Sequence, residues 1–395
     1  MLSNISDRPQ TNEETTIIGC GSVGSIMADN LSRRGNEKIH IVDDDKFEPH
    51  NVARHLLGSN HSHFSKAHST VSKLKADTAS GDHRAYFSKF EDLDQQVKAN
   101  LLAKETIIDC TATDFIHSFN LSNYETNRVF RCYIANQGRL GIVQYCNPSK
   151  SSADFFDLDT CFLAHSAQDK ELSNWLKNDL TSETVVGLSC SSTTLKMPLN
   201  VIQSHTSSFL SFIDNNSGPS AVMGINSLTE KHYPKEFKEL IPPTFRRFQL
   251  KDHDEEWNTT ITEDVKEQIF ESSKLTRNEI GGFLIGNFDY NNKRICIIKC
   301  TVVRNAKSSV MSLELPPLFD DKDALALIES SSGGLKCLGT WHSHPGKSTP
   351  SQIDLNTLNE VRENSSDLPM PFLMFIQGKI KSDFSIKLGL PNVWK

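Results

Sequence analysis

The chain lacks the sequence features of secreted, membrane-spanning and nucleic-acid-binding proteins. None of its nine cysteines forms a Cys-x-x-Cys pair, and this spacing predicts a reducing compartment, which we take to be the cytoplasm. Residues 1–14 are polar, and no stretch reaches the ~18 continuous apolar residues of a transmembrane helix. The formal net charge of −7 at pH 7 provides no basic surface for nucleic acid. We therefore expect neither a membrane nor a nucleic-acid partner.

The length of 395 residues suggests at least two domains, and each half has its own polar motifs. Residues 231–257 combine three prolines with many charged residues, which is typical of a linker. We therefore predict a first domain over residues 1–230, a linker over 231–257 and a second domain over 258–395. A polar helix over residues 169–180 is interpreted as an insertion.

The second domain contains metal-binding residue types with the spacing of a catalytic site. His342 and His344 end an apolar run that predicts a strand, and alternation along a strand places both imidazoles on the same side. Asp354 follows ten residues after the second histidine. These side chains would give Zn²⁺ three protein ligands and leave its fourth tetrahedral position open for a water molecule.

A helix is predicted to begin directly after these histidines. Thr349 would be its N-cap and Pro350 its first residue, with Gln352 completing a capping box. Ser351 and Asp354, three residues apart, would then share one face of the helix.

Together with an upstream Glu-x-Gly-Gly at Glu279, these residues resemble the JAMM (JAB/MPN) metalloprotease family over residues 258–395. The resemblance implies an α+β, cytidine-deaminase-like fold and a Zn²⁺ ion on the three ligands. It also implies that Glu279 is the general base and that Ser351 donates a hydrogen bond to the oxyanion. The interval from His344 to Ser351 is one residue shorter than the commonest family form, a change that a loop can absorb. A metal-free scaffold, which the family also contains, is the alternative.

The first domain opens with a glycine-rich motif between a strand and a helix. Gly19, Gly21 and Gly24 follow the β-branched run 15–18 in the pattern Gly-x-Gly-x-x-Gly, which would place backbone amides around a phosphate. A second strand, residues 39–42, ends in three aspartates, where a carboxylate would bind a ribose hydroxyl. These features alone also fit a dehydrogenase.

Three later residues favour a triphosphate instead of a nicotinamide cofactor. Asn51, Arg54 and Lys66 would converge on the phosphates, because adenylyl transfer must bind and neutralise a departing pyrophosphate. The whole pattern resembles the ThiF/MoeB family of ubiquitin-activating-type adenylyltransferases, well over residues 15–148 and poorly over 149–228.

The ThiF/MoeB resemblance implies a Rossmann-like α/β fold, bound ATP and Mg²⁺, and a homodimer. By this resemblance Asp43 would bind the ribose, and Asn51, Arg54 and Lys66 would bind the phosphates. Asp45 and Asp109 complete the predicted cofactor-binding set.

The chain departs from the ThiF/MoeB pattern in three places. The family motif Asp-Cys-Thr-Asp, whose second aspartate lies at the magnesium, ends here in Ala112, and Asp114 is two residues out of register. The N-terminal arginine that family members donate across a dimer has no clear counterpart, and the paired Cys-x-x-Cys motifs of some members are absent. A nucleotide-free Rossmann-like scaffold is therefore the alternative.

Cys190 lies in a loop of small residues ahead of a predicted helix. Ubiquitin-activating enzymes often carry a nucleophilic cysteine at about this position, and a thiolate is favoured near a helix N-terminus. We predict Cys190 as a nucleophile. An inert thiol is the alternative, because several family members need no thioester.

The two resemblances together imply a bifunctional enzyme. It would adenylate the C-terminus of a ubiquitin-like modifier and, through its JAMM domain, trim the modifier precursor or cleave it from conjugates. A conjugating-enzyme-like protein is a further expected partner, and analogy with bacterial fusions and operons suggests antiphage defence. Two alternatives stay open: activation of a ubiquitin-fold sulfur carrier, and a first domain that is inactive through Ala112 and only holds the modifier for the peptidase.

Overall fold

The computed structural model describes residues 13–78, 81–113, 115–118, 128–179, 197–218, 220–252, 254–310, 312–364 and 370–392. The chain divides into two compact units, one made of Met1–Phe155 with Thr184–Pro242 and the other of Phe156–Glu183 with Pro243–Lys395. Asp114 and Cys190, both named above, lie outside the described residues. Within the described residues, no helix has the length and apolar character needed to cross a membrane.

The helices are, in chain order, α1 (Ser22–Arg33), α2 (Lys66–Thr78), α3 (Gln95–Leu102), α4 (Phe115–Ser118), α5 (Phe155–Gln168), α6 (Lys170–Asp179), α7 (Leu199–Asn215), α8 (Glu263–Ser273), α9 (Lys322–Ser330) and α10 (Gln352–Asn364). The strands are β1 (Glu14–Ile18), β2 (Lys38–Val42), β3 (Arg84–Tyr86), β4 (Thr106–Asp109), β5 (Arg128–Ala135), β6 (Leu140–Cys146), β7 (Val222–Leu228), β8 (Pro234–Leu240), β9 (Phe245–Asp252), β10 (Glu255–Thr262), β11 (Gly281–Asp289), β12 (Arg294–Cys300), β13 (Lys307–Ser308), β14 (Leu313–Glu314), β15 (Lys336–Ser343), β16 (Phe372–Gln377) and β17 (Phe384–Gly389).

The first unit is built on a sheet with the strand order β3-β2-β1-β4-β5-β6-β7-β8. The strands from β3 to β5 run parallel, and β6, β7 and β8 are each antiparallel to the strand before them. The central strand β1 is buried along nearly its whole length, as expected for a parallel sheet covered by helices. The strand order reverses between β1 and β4, where doubly wound folds form their ligand crevice. The predicted Rossmann-like fold is confirmed.

The second unit is built on a mixed sheet with the order β17-β16-β15-β11-β12-β10-β9. β10 with β12 and β15 with β16 are parallel, and the other pairs are antiparallel. Trp257 and Trp341 are fully buried in its core. Helices and a largely antiparallel sheet thus share one core, as the predicted α+β class requires.

The structure differs from the predicted domain bounds at α5 and α6, which belong to the second unit rather than to the first. Asp157 of α5 accepts a hydrogen bond from the Thr260 hydroxyl at 2.5 Å, and the Ser173 hydroxyl of α6 donates to Ser330 O at 2.8 Å. These contacts join residues more than a hundred positions apart, so no local pattern signals them.

The predicted linker over residues 231–257 is wrong. β8 pairs with β7 in the first sheet, and β9 pairs with β10 in the second. Both are the last strand of their sheet, and six of the seven residues of β8 and four of the eight residues of β9 are exposed. Edge strands are commonly rich in charge, which explains why their composition imitates a linker.

Candidate metal centre and nucleotide cavity

The predicted metal ligands begin at the end of β15, an inner strand of the second sheet. In the strand ladders His342 is aligned with Gly281 of β11 and with Ile376 of β16. A β-carbon on Gly281 would lie 2.3 Å from Trp341 O, so only glycine lets β11 pass this closely. Strands on both sides therefore hold His342, which is 8 % exposed, in a fixed position.

The structure brings His342, His344 and Asp354 together as one cluster of possible metal ligands. His342 Nε2 lies 3.1 Å from His344 Nε2 and 3.1 Å from Asp354 Oδ1, and His344 Nε2 lies 3.5 Å from Asp354 Oδ2. A tetrahedral zinc ion with ordinary bond lengths separates its ligand atoms by about 3.3 Å. The three side chains therefore fit a zinc ion in both chemistry and spacing.

The imidazole of His344 is oriented by the loop that follows it. Its Nδ1 lies 3.2 Å from Lys347 O, so the ring proton is placed on Nδ1 and Nε2 keeps its lone pair. The same loop is anchored by Ser348, whose hydroxyl donates to Asp383 Oδ1 at 2.7 Å. This anchored loop is the one that is one residue shorter than usual in the family.

Ser351 and Asp354 form a reciprocal pair at the start of α10. Asp354 Oδ2 accepts hydrogen bonds from the Ser351 N–H at 2.7 Å and from its hydroxyl at 2.8 Å, while the Asp354 N–H donates to Ser351 Oγ at 3.2 Å. Ser351 is thus the N-cap and α10 begins at Gln352, so the predicted start with Thr349 as N-cap is wrong by two residues.

The charge state of Asp354 follows from these contacts. Burial alone would raise its pKa, but the hydrogen bonds and charge of His342, together with the hydrogen bonds from Ser351, hold that pKa well below its usual range. The carboxylate is therefore ionised and has one oxygen, Oδ1, directed to His342.

Glu279 lies beside the cluster, just before β11. Its carboxylate Oε1 is 3.9 Å from His344 Nε2, and the side chain is 9 % exposed. Its backbone N–H donates to Ser309 O at 2.8 Å, and the next N–H, of Ile280, donates to the Ser343 hydroxyl at 3.1 Å. Burial raises the Glu279 pKa, although the nearby histidines oppose that shift. The Glu279 carboxylate thus lies directly beside the candidate metal ligands.

In the first unit, the glycine motif forms the tight turn between β1 and α1. Gly19 has a φ of +88°, and a β-carbon there would lie 2.9 Å from the Cys110 carbonyl carbon. A β-carbon on Gly24 would lie 1.9 Å from Gly19 O. Gly21 directly precedes α1 as its N-cap residue. These close approaches require glycine and bring the turn against the end of β4.

A cavity of about 250 Å³ opens beside this turn, and five predicted cofactor-binding residues line it. They are Gly21, Asp45, Asn51, Arg54 and Lys66. The helix N-terminus and three cationic side chains, Lys46, Arg54 and Lys66, make the cavity suitable for phosphate groups.

Within the cavity, Lys66 and Asp45 form an ion pair. Lys66 Nζ lies 2.6 Å from Asp45 Oδ2, and the lysine side chain is 9 % exposed whereas the aspartate is 60 % exposed. Asn51 Oδ1 accepts a hydrogen bond from the Glu48 N–H at 2.8 Å, which holds the short helical turn that carries Asn51 and Arg54. The ion pair thus holds the buried Lys66 ammonium group in place, and Asp45 is the solvent-exposed member of the pair.

Asp43, the predicted ribose ligand, binds the backbone of the glycine turn with its carboxylate. Its Oδ2 accepts a hydrogen bond from the Cys20 N–H at 2.6 Å, and its Oδ1 accepts one from the Asp45 N–H at 2.9 Å. Both carboxylate oxygens are therefore hydrogen-bonded to backbone amides. Burial raises its pKa. Asp43 is not among the cavity residues, and it ties the glycine turn to the end of β2.

His55 is a cavity residue that the sequence interpretation missed. Its Nε2 donates to Cys20 O at 2.8 Å, and its Nδ1 accepts from the Leu57 N–H at 3.1 Å. Burial lowers its pKa to about 4, so the ring is neutral near pH 7. In the sequence, the only indication that His55 belongs to this cavity is its position directly after Arg54.

Asp109 is fully buried at the end of β4 and lies outside the cavity. Its Oδ1 accepts from the Thr111 N–H at 2.9 Å and from the Thr111 hydroxyl at 2.7 Å. Arg131 is its neighbour in the strand ladder, and burial raises the Asp109 pKa to about 6 although Arg131 opposes the shift. Ala112, where the family has its second aspartate, has a φ of +55°.

A family model matches each half of the chain. Residues 11–217, more than half of the chain, match the ThiF family, and residues 262–386 match the prokaryotic homologs of the JAB domain. In the solved structures, E. coli MccB crystallised with ATP is 14 % identical with a TM-score of 0.38, covering 61 % of this chain and 66 % of that chain.

Two curated relatives are named ATP-dependent ubiquitin transferase-like protein Cap2. The Vibrio cholerae protein is 31 % identical over 120 residues, which cover 28 % of this chain and 20 % of the relative. The Enterobacter hormaechei protein is 29 % identical over 119 residues, which cover 30 % of this chain and 20 % of the relative. The match therefore spans about a fifth of the length of these relatives. From the extent of the family matches, the chain belongs to the ThiF family and carries a second domain of the prokaryotic JAB family.

Proposed function

We propose that the chain is a bifunctional enzyme of a bacterial ubiquitin-like pathway. Its first unit adenylates the C-terminal glycine of a ubiquitin-like modifier with ATP. Its second unit is a zinc peptidase that trims the modifier precursor or cleaves it from conjugates. The observation that carries this proposal is the convergence of His342, His344 and Asp354 with Glu279 beside them. The names of the relatives support the same pathway.

In the peptidase unit, His342, His344 and Asp354 would hold a zinc ion, which would supply Lewis acidity at the scissile carbonyl. Glu279 takes a proton from the attacking water and returns it to the leaving amine. Ser351 holds Asp354 through Oδ2 and so would orient this carboxylate as a metal ligand. A hydrogen bond from Ser351 to the oxyanion would require its hydroxyl to leave Asp354.

In the adenylating unit, the triphosphate of ATP occupies the cavity beside the glycine turn. Arg54 and Asn51 bind phosphate oxygens, and Lys66 exchanges its partner Asp45 for the phosphate tail. The released Asp45 carboxylate is then available to Mg²⁺, which prefers oxygen ligands. The modifier carboxylate attacks the α-phosphate, and pyrophosphate leaves.

We further propose that Cys190 attacks the acyl adenylate, with AMP as the leaving group. Incubation with ATP and modifier should give an adduct that reducing agent removes, and Cys190→Ala should abolish the adduct while sparing pyrophosphate exchange. Cys161→Ala is the matched control, because burial raises the pKa of the Cys161 thiol well above its usual range. An adduct that persists in Cys190→Ala would overturn this step.

Ala112 favours a second candidate function, in which the first unit binds the modifier without adenylating it. The test uses the full chain and a candidate ubiquitin-like protein that ends in glycine. ATP–pyrophosphate exchange should depend on that protein, and the chain should cleave a reporter fused to its C-terminus. Modifier binding without exchange would favour the second candidate. Cleavage that survives complete removal of metal would overturn the peptidase assignment.

The place of this pathway in antiphage defence is proposed by analogy alone. Cells that express the intact chain together with its modifier should resist phage in a plaque assay. Resistance that is unchanged when Glu279 is replaced by glutamine and Arg54 by alanine would contradict a defensive role for both activities.

A further inference from the structure

The loop that follows His344 is hydrogen-bonded to the turn, residues 378–383, that joins β16 to β17. The His344 N–H donates to Gln377 O at 2.8 Å, directly before this turn. Further along the loop, Gly346 O accepts a hydrogen bond from the Lys379 N–H at 2.9 Å. The backbone of one candidate zinc ligand is therefore attached to a segment that lies far away in the sequence.

Ser348 lies later in the same loop and binds this turn and β17 with three of its polar groups. Its hydroxyl donates to Asp383 Oδ1 at 2.7 Å, and its N–H donates to Asp383 Oδ2 at 3.3 Å. Its carbonyl oxygen accepts a hydrogen bond from the Ser385 hydroxyl at 2.7 Å. Ser348 is 7 % exposed, so water competes little for these hydrogen bonds. The loop is thus held at His344, at Gly346 and at Ser348.

The turn has its own internal hydrogen bonds, which are centred on the side chain of Gln377. This residue is 1 % exposed, and its Nε2 lies within 3.0 Å of three carbonyl oxygens, those of Gly378, Ile380 and Asp383. The Gly378 N–H also donates to Asp383 O at 2.7 Å, and the Asp383 N–H donates to Ile380 O at 2.9 Å. The conformation of the turn is therefore fixed by contacts that involve neither the loop nor a metal ion.

We propose that this turn is the template that places His344 for zinc, and that Asp383 is a positioning residue of the metal centre. His344 Nδ1 lies 3.2 Å from Lys347 O, so the orientation of the imidazole follows the position of the loop. Asp383 fixes the neighbouring Ser348 through two hydrogen bonds and therefore acts on the ring through the loop. This role of Asp383 rests on the proposed function of the second unit as a zinc peptidase, and it sets the metal affinity of that site.

A purely structural role for Asp383 is the alternative, in which its hydrogen bonds stabilise the fold and nothing more. Loss of the carboxylate would then lower the melting temperature, but the folded protein would keep the same ligand geometry and the same zinc affinity. In the positioning role the zinc affinity of the folded protein falls, because the imidazole of His344 is no longer held where the ion needs it. Zinc affinity therefore separates the two roles.

The experiment measures the zinc affinity of the full chain by chelator competition, and the melting temperature of the metal-free protein beside it. Asp383→Ala should lower zinc affinity about 10- to 100-fold, the usual effect of removing an outer group that orients a ligand. Asp383→Asn should keep most of the affinity, because its side-chain oxygen still accepts from the Ser348 hydroxyl. The double variant Ser348→Ala with Asp383→Ala should bind zinc about as weakly as Asp383→Ala alone, since the two side chains act through one contact.

The control is Glu363→Ala, which removes the same charge from an exposed position of α10 and should leave zinc affinity unchanged. Equal zinc affinity in Asp383→Ala and the wild type would overturn the positioning role and leave the zinc centre itself in place. Independent, additive losses for Ser348→Ala and Asp383→Ala would overturn it as well. A wild-type chain that binds no zinc would overturn the proposed peptidase function, and the role of Asp383 with it.

Discussion

Ser351 caps α10 through one oxygen of the Asp354 carboxylate, whose two oxygens lie 3.1 Å from His342 Nε2 and 3.5 Å from His344 Nε2. Ser351 donates twice to Asp354 Oδ2, at 2.7 and 2.8 Å, while Asp354 Oδ1 lies 3.1 Å from His342. The cap that starts α10 therefore also orients a metal ligand. This geometry assigns Ser351 to Asp354, whereas the family resemblance assigns it to the oxyanion, and the two roles predict different behaviour.

Ser351→Ala should lower zinc affinity roughly 10- to 100-fold, the usual effect of removing a group that orients a metal ligand. Activity should then return toward the wild-type level when zinc is saturating. The measurements are zinc affinity by chelator competition and peptidase rate against zinc concentration. Thr357→Ala, at an exposed position on the same helix, is the control and should change neither.

The oxyanion role would give the opposite pattern for Ser351→Ala. Zinc affinity would be preserved, and the rate at saturating zinc would stay low by about 10²-fold or more, the scale for losing an oxyanion donor. That result would contradict the role inferred from the hydrogen bonds.

Glu279→Gln should keep the fold and the zinc ion but lower peptidase turnover by ~10² or more, because an amide cannot accept the proton of water. Elemental analysis checks the zinc content, and cleavage of a modifier fusion checks the turnover. Glu360→Gln, at an exposed position of α10, is the control. Unchanged turnover in Glu279→Gln would mean that another group activates the water.

The sequence allowed the local geometry of both sites to be predicted. Alternation along one strand was enough to place His342 and His344 on the same side, and the close approaches of Gly19 and Gly24 agree with the glycine motif. These features depend on residues near each other in the chain. The helix start was missed because the loop before it is held by Asp383, a contact over thirty-five residues.

Other features depend on strand register and long-range packing, which local patterns do not specify. The sequence does not reveal that Asp109 faces Arg131, because that pairing follows from the alignment of β4 with β5. β8 and β9 are rich in charged residues, and this composition led to the prediction of a linker where the structure has two edge strands. The burial of Asp157 against β10 likewise comes from tertiary contacts alone.

Arg54→Ala and Lys66→Ala should each weaken ATP–pyrophosphate exchange, because each removes a cation from the phosphate cavity. Zinc-dependent cleavage should stay close to the wild-type rate, since the two sites belong to different units. Lys75→Ala, at an exposed position of α2, is the control. Preference for NAD over ATP in a thermal-shift titration would contradict the adenylation assignment.

Ala112 stands where the family usually has an aspartate. Substitutions at this position test whether the first unit needs that aspartate for adenylation. The Ala112 φ of +55° lies in the left-handed region, which aspartate adopts more readily than alanine. Ala112→Asp should therefore fit the same backbone and place a carboxylate where the family has its magnesium ligand. If the missing carboxylate limits the reaction, we expect exchange to rise roughly tenfold or more.

Ala112→Gly is the matched variant, because it relieves the left-handed backbone without adding a carboxylate. It should raise stability by about 1 kcal/mol and leave exchange unchanged. An equal rise in exchange for both variants would assign the effect to the backbone. Equal exchange in the wild type and Ala112→Asp would show that this protein adenylates without the second aspartate, in which case the aspartate in the cavity, Asp45, is the remaining candidate for the magnesium.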